Sequence, residues 1–210
     1  FILLSVGLAL CGWRFLYTFK TTNTPNRKSR TGFFLGLCFA LSSLQNAILG
    51  FGALFFANNS ELLFATEVVS HLALTALAVV CIYTAYYIFL PHSSPYPAII
   101  TTFTLSGIGI ISAIRNPFFP FLTPGKGIDL NMSFIFAGAT FLLLFISLSV
   151  FFYIFFKIFQ NTKNREVKTL SFIISTSALI GIINNSIYLL LPHGTSASAR
   201  TAIFHIQYQG

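Results

Sequence analysis

From Met132 to Phe156 the chain carries no charged residue and very few polar ones. Coiled as a helix at about 1.5 Å per residue, such a run is long enough to cross the roughly 30 Å hydrocarbon core of a bilayer. It can escape water only inside a large soluble core or in lipid. Composition decides between the two. Of 210 residues, 55% are hydrophobic, 8% are charged and 26 are Phe. Soluble proteins carry about 25% charged residues. A chain this poor in charge cannot cover a water-facing surface of its own size, so lipid is the solvent for most of it.

Six segments meet or approach the length of a membrane span: 1–18, 33–56, 62–90, 98–114, 132–157 and 169–191. The fourth stops at Arg115, before a stretch holding Pro117, Pro120 and Pro124 that cannot continue a helix. A seventh apolar run opens at about 201 and is lost at Gly210 after barely two turns. The runs are continuous and lack period-2 alternation, which argues against a β-barrel. The expected fold class is therefore an all-α membrane protein. It is one transmembrane bundle over residues 1–210, with six full helices and the truncated start of a seventh. The apolar start at Phe1 has no basic region before it and no small-residue cleavage site after it. It reads as a transmembrane helix of a trimmed chain, not as a signal peptide.

The chain holds 12 basic and 4 acidic residues. In a soluble protein this excess would suggest nucleic acid, but here the basic residues cluster in short links between apolar runs, which argues for membrane orientation and against nucleic-acid binding. Lys20, Arg27, Lys28 and Arg30 lie between the first and second helices, and Lys157, Lys163, Arg165 and Lys168 between the fifth and sixth. The opposite links hold Arg115, Lys126 and Arg200. The positive-inside rule then places the N-terminus outside and both basic links in the cytoplasm, in a plasma or cytoplasmic membrane. Arg14 is one turn from the cytoplasmic end of its helix and can snorkel to it. Trp13, Tyr17, Tyr83, Tyr86, Tyr87 and Tyr153 all fall near the same face, where amphipathic rings are most stable.

Each polar group inside a span needs a reason. Gln45 and Asn46 in the second helix, Glu67 and His71 in the third, and Asn184 and Asn185 in the sixth fall at a similar depth in the outer half of the bilayer. Glu67 and His71 are spaced i, i+4 and share a helix face. A lone Glu in lipid costs a few kcal/mol, about 2.5 or more at mid-helix, and pairing with His or protonation lowers that cost. The six residues form a candidate site for a small ligand or a proton. The competing reading is that the amides are hydrogen-bonding glue between helices, worth about 0.6–2 kcal/mol each. Gly32 and Gly36 form a GxxxG, and Gly50, Gly52, Gly107 and Gly109 are further close-approach candidates. They read first as packing within the bundle, with a homodimer face as the lesser alternative. Cys11, Cys38 and Cys81 read as small buried hydrophobes without metal-ligand spacing. No catalytic constellation, metal motif or cofactor motif is present, and the chain reads as no enzyme in itself.

The stretch from Gly127 to Pro192 contains the apolar helix "FIFAGATFLLLFISLSVFFYIFF", the basic link "KNREVKTL" and a sixth helix ending "NNSIYLLLP", followed by Gly194 and the run "TAIFHI". In this order, with the earlier helices before it, the chain resembles the N-terminal seven-helix membrane sensor region of bacterial histidine kinases and diguanylate cyclases. The likeness is one of architecture and covers the whole chain. It implies a sensor that signals to a cytoplasmic output domain beyond these residues. No kinase or cyclase residue carries over. The alternatives are a small transporter or channel component, and a structural subunit of a membrane complex. The orientation is testable by cysteine labelling of a variant lacking the three native cysteines. A membrane-impermeant maleimide is expected to label Asn58→Cys in intact cells, and to label Asn164→Cys only after the membrane is opened.

Overall fold

The structure is a computed structural model and describes residues 2–20, 27–117, 119–123, 127–129 and 132–190. It contains six helices: α1 (Ile2–Lys20), α2 (Arg27–Phe55), α3 (Ser60–Phe89), α4 (Tyr96–Arg115), α5 (Phe134–Asn161) and α6 (Arg165–Leu190). Between α4 and α5 lie two short antiparallel strands, β1 (Phe121–Thr123) and β2 (Gly127–Asp129), with Leu122 opposite Ile128. Five helices contain apolar stretches long enough to cross a membrane: Arg30–Phe55, Ser60–Phe89, Tyr96–Arg115, Phe134–Asn161 and Arg165–Ile183. In α1 the apolar stretch Ile2–Tyr17 is shorter. The chain is a multi-pass membrane protein. The expected seventh helix, from about 201, lies outside the described residues.

Helix boundaries overrun the apolar segments because the two obey different physics. The apolar run marks the part immersed in lipid. The hydrogen-bonded spiral continues into the interface wherever propensity permits, and Arg and Lys are good helix formers. So α2 begins at Arg27, although its apolar run opens at 33. Local chemistry sets the other ends. The side chain of Asn59 caps α3 by accepting from the Leu62 amide at 3.0 Å, and Ser133 caps α5 by accepting from the Phe136 amide at 3.3 Å. The Asn164 carboxamide accepts from the amides of Glu166 and Val167, which starts α6.

Successive helices alternate in direction. One end of the bundle therefore collects the end of α1, the starts of α2, α4 and α6, and the ends of α3 and α5. This basic end carries Arg30, Lys157, Lys163, Arg165 and Lys168, and also Trp13, Tyr17, Tyr83, Tyr86, Tyr87 and Tyr153. The other, hairpin end carries Glu61 and the β1–β2 ribbon. α3 is the central helix: α2, α4 and α5 pack on it, α1 packs on α2, and α6 packs on α5.

The packing is inside-out by the standards of a soluble protein. On α4 the buried positions are Thr102, Ser106, Gly109 and Ala113, one face at helical spacing. Ile100, Phe103, Ile108, Ile111 and Ile114 face outward. In water such a surface would aggregate. In lipid it is the expected exterior, because apolar side chains gain nothing by leaving lipid tails for each other. A genuinely apolar core does form toward the middle, from Leu35, Cys38 and Phe39 of α2, Leu74, Leu77, Ala78 and Cys81 of α3, and Leu143, Phe151, Ile154 and Phe155 of α5. Phe39 sits 5.4 Å from Phe151, ring centre to ring centre.

Small residues bring the backbones together. Ser5 and Ser43 clamp α1 to α2 reciprocally: Ser5 Oγ donates to the Ser43 carbonyl at 2.9 Å and Ser43 Oγ donates to the Ser5 carbonyl at 2.8 Å. Two turns along α1, a Cβ built on Gly12 would lie 3.1 Å from both the Ala40 amide nitrogen and the Gly36 carbonyl oxygen. Of the expected close-approach glycines, Gly36 packs on Leu16, Gly52 on Thr66 and Gly109 on Ala139, whereas Gly32 and Gly107 face open space. Among the described residues only the second glycine of the Gly32–Gly36 GxxxG meets a neighbour. Cys38 and Cys81 are buried, Sγ to Sγ 3.6 Å, as expected. Cys11 is exposed, contrary to expectation; it lies on the lipid face of α1, where a thiol is apolar enough to sit.

Gly7 and Gly12 on the same helix separate propensity from packing. Gly7→Ala adds a methyl in open space and is expected to stabilise by up to about 1 kcal/mol. In Gly12→Ala the methyl meets backbone of α2 that cannot rotate aside, so that gain is outweighed by about 1–3 kcal/mol of overpacking. Reversible unfolding in detergent micelles checks both signs.

Candidate functional site

The site is built on α3, because its central position leaves it the widest buried face. Glu67 and His71, one turn apart, both point inward, with 5% and 2% of their surface exposed. His71 is eleven residues into α3, roughly 16 Å along the axis from its start at the hairpin end. Gly109 of α4 and Thr140 of α5 reach the same level from that end.

Three helices are tied to one another at His71. Its Nδ1 lies 2.9 Å from Thr140 Oγ1 on α5. Its backbone carbonyl accepts from Thr75 Oγ1 at 2.8 Å, and Thr75 Oγ1 is 2.6 Å from Ser106 Oγ on α4. The Phe136 ring covers the imidazole at 4.8 Å between ring centres. A Cβ on Gly109 would stand 3.6 Å from His71 Cε1 and 2.8 Å from the Ala139 methyl. Glycine at this position is what lets α4 close over the histidine.

Thr140 Oγ1 stands 2.9 Å from His71 Nδ1 and 2.9 Å from the Phe136 carbonyl oxygen. It has one proton for the two, so the ring tautomer follows from which of them it donates to. The other ring nitrogen, Nε2, is buried and among the described residues has no side-chain or backbone hydrogen-bond partner within bonding geometry. Nearly all buried polar atoms are satisfied, and one that is not costs about 1–3 kcal/mol. A ring nitrogen held in place by three helices, one turn from a buried carboxyl group, can exchange a proton or a hydrogen bond with a ligand. Among the described residues no group of three His, Cys, Asp or Glu side chains is arranged to hold a metal ion.

Of the six candidate residues, Glu67 and His71 lie one turn apart on the buried face of α3. Gln45 and Asn46 are half-buried on α2. The Asn46 amide turns back on its own helix and donates to the Ser42 carbonyl at 2.8 Å. The contacts of His71 run instead to α4 and α5. Asn184 and Asn185 fall within α6, but their side chains lie outside the described residues. The residues that complete the His71 environment are Thr75, Ser106, Gly109, Phe136 and Thr140. Their signal in the sequence is the small and hydroxyl face of α4, which repeats at Thr102, Ser106, Gly109 and Ala113. On α5 the corresponding signal is the seven-residue spacing of its cap Ser133, Thr140 and Ser147, which puts three hydroxyls on one helix face.

No protein-family model, curated protein or solved structure matches this chain.

Thr140→Val keeps the shape of the side chain and removes the hydroxyl that meets Nδ1. It is expected to cost about 1–3 kcal/mol of stability. In the double variant His71→Phe, Thr140→Val neither member of this contact is left facing a missing partner, and the double-mutant cycle is expected to return at least part of that loss. Additive losses would show that the two side chains do not interact.

Proposed function

We propose that the bundle is a sensor region that reports occupancy or protonation of the Glu67–His71 site to a cytoplasmic output domain joined to its C-terminal side. The observation that carries this reading is His71 itself. A buried imidazole is fixed through Nδ1, left with an open Nε2, and clasped by α4 and α5. Ionisable groups within spans are costly and are kept for function more often than for packing. The charge distribution supports an orientation with the N-terminus outside and the basic end in the cytoplasm, which would put the site in the outer half of the membrane. The architecture supports a sensor because it resembles the membrane region of bacterial sensor kinases and cyclases.

The mechanism follows from where the histidine sits. A proton or a hydrogen bond exchanged at Nε2 changes the charge or the orientation of the ring, and with it the Nδ1 contact that joins α3 to α5. Helices packed this tightly shift between discrete arrangements and do not deform continuously. A helix leading from the bundle to the output domain would move with that shift.

Trp13, the single tryptophan, stands near the basic end and provides the probe. In liposomes the medium is acidified from about pH 8 to about pH 3, past the range in which His and Glu side chains titrate in water. The wild-type chain is expected to change its tryptophan emission across that range. Glu67→Gln, which mimics the protonated carboxyl, and His71→Ala are each expected to abolish the change while membrane abundance stays normal. An unchanged transition in both variants would reduce the pair to packing.

A further inference from the structure

A second site lies at the opposite end of the bundle. A cleft of about 500 Å³ opens between the start of α2, the end of α3 and the link to α4. Its lining includes Arg30, the tyrosines Tyr83, Tyr86 and Tyr87, and Ser93, with Leu90, Pro91 and Pro95 as apolar wall. We propose that this cleft binds the phosphate of an anionic phospholipid headgroup.

Four observations carry the proposal. The cleft is of the size that holds small ligands, about 300–1,000 Å³. Its polar chemistry is that of a phosphate site. A guanidinium offers a planar fork of donors that matches phosphate oxygens, and phenol and serine hydroxyls add neutral donors. Among the described lining residues there is no carboxylate to neutralise Arg30, and the undescribed link 21–26, Thr-Thr-Asn-Thr-Pro-Asn, has none in its sequence. The rings are also held in place. Phe34, one turn after Arg30, packs against Tyr83 at 5.1 Å and Tyr87 at 5.5 Å, ring centre to ring centre.

The position selects a lipid over a soluble phosphate. The cleft lies where the spans of α2, α3 and α4 end, at the level of the aromatic residues that mark a membrane interface. Tyr83 and Leu90 of its wall are exposed on the outer surface of the bundle. A headgroup can therefore enter sideways from the leaflet while its acyl chains stay in lipid. The site is separate from Glu67 and His71 and stands or falls without them.

Native mass spectrometry of the full chain, extracted with an equal mixture of phosphatidylglycerol and phosphatidylcholine, tests the assignment. The wild-type chain is expected to retain phosphatidylglycerol preferentially. Arg30→Gln is expected to lower that retention about tenfold, the loss of a charge-assisted contact. Tyr86→Phe, which removes one hydroxyl and keeps the ring, is expected to lower it about threefold. Lys163→Gln, at the same end but outside the cleft, is expected to leave it unchanged. Equal retention by wild type and Arg30→Gln overturns the proposal, as does an equal loss in Lys163→Gln, which would reduce the effect to general surface charge. Inorganic phosphate at millimolar concentration serves as the source control. Failure to displace the lipid supports a headgroup site, and complete displacement assigns the cleft to a soluble phosphate and overturns the lipid reading.

Discussion

Lipid tails are as apolar as leucine, so burying one apolar helix against another gains almost nothing from the hydrophobic effect. What remains is close contact and hydrogen bonding, and both depend on small and hydroxyl-bearing residues. The Ser5–Ser43 clamp, the Gly12 approach to the α2 backbone and the Thr75–Ser106 contact are three forms of the same solution. Each sits on a buried helix face, while the large residues of α4 face outward. The bundle therefore has polar seams between its helices and an apolar exterior.

This arrangement explains why a histidine can sit among those seams. In a soluble core, His71 would be one polar group among hydrocarbon. Here it joins a seam that already carries hydroxyls, and two of them, Thr140 and Thr75, satisfy its Nδ1 and its backbone carbonyl. Neighbours present for packing thus meet part of its desolvation cost. The seam leaves Nε2 open, one of two buried side-chain atoms without a hydrogen-bond partner among the described residues, the other being Glu67 Oε1.

The helices were legible in the sequence because their signal is bulk composition, which no tertiary detail can override. Five of the expected spans are long and apolar enough to cross a membrane, and the shared buried face of Glu67 and His71 follows from i, i+4 spacing. The partners of that pair were not legible. Depth along a helix can be counted from loop ends, but the direction in which a residue faces depends on helix rotation, which a nearly uniform apolar sequence does not specify. Hence Gln45 and Asn46 share a depth with His71, yet the Asn46 amide is satisfied by its own helix. The same limit applies to the glycines. Gly107 and Gly109 are two residues apart and thus lie on nearly opposite faces, and only Gly109 meets a neighbour. The short β1–β2 ribbon was hidden among prolines that read as loop.

The two proposed sites share one helix. His71 lies near the hairpin end of α3, and Tyr83, Tyr86 and Tyr87 lie near its basic end. The twelve residues from His71 to Tyr83 span roughly 18 Å of continuous helix. Between them lie Leu74, Leu77, Ala78 and Cys81, packed into the core that α2 and α5 complete. A helix is stiff along its axis, so a rotation or slide forced at His71 must either carry the tyrosines with it or unpack that core. The core is the costlier to disturb, since it holds the large aromatic contacts of Phe39, Phe151 and Phe155. Moving α3 together with α2 and α5 against the thinner hydroxyl seam with α4 is the cheaper route. On that reasoning the geometry of the cleft and the state of the histidine would be linked through α3, and a headgroup held by Arg30 and the tyrosines would bias the same helix from the opposite end.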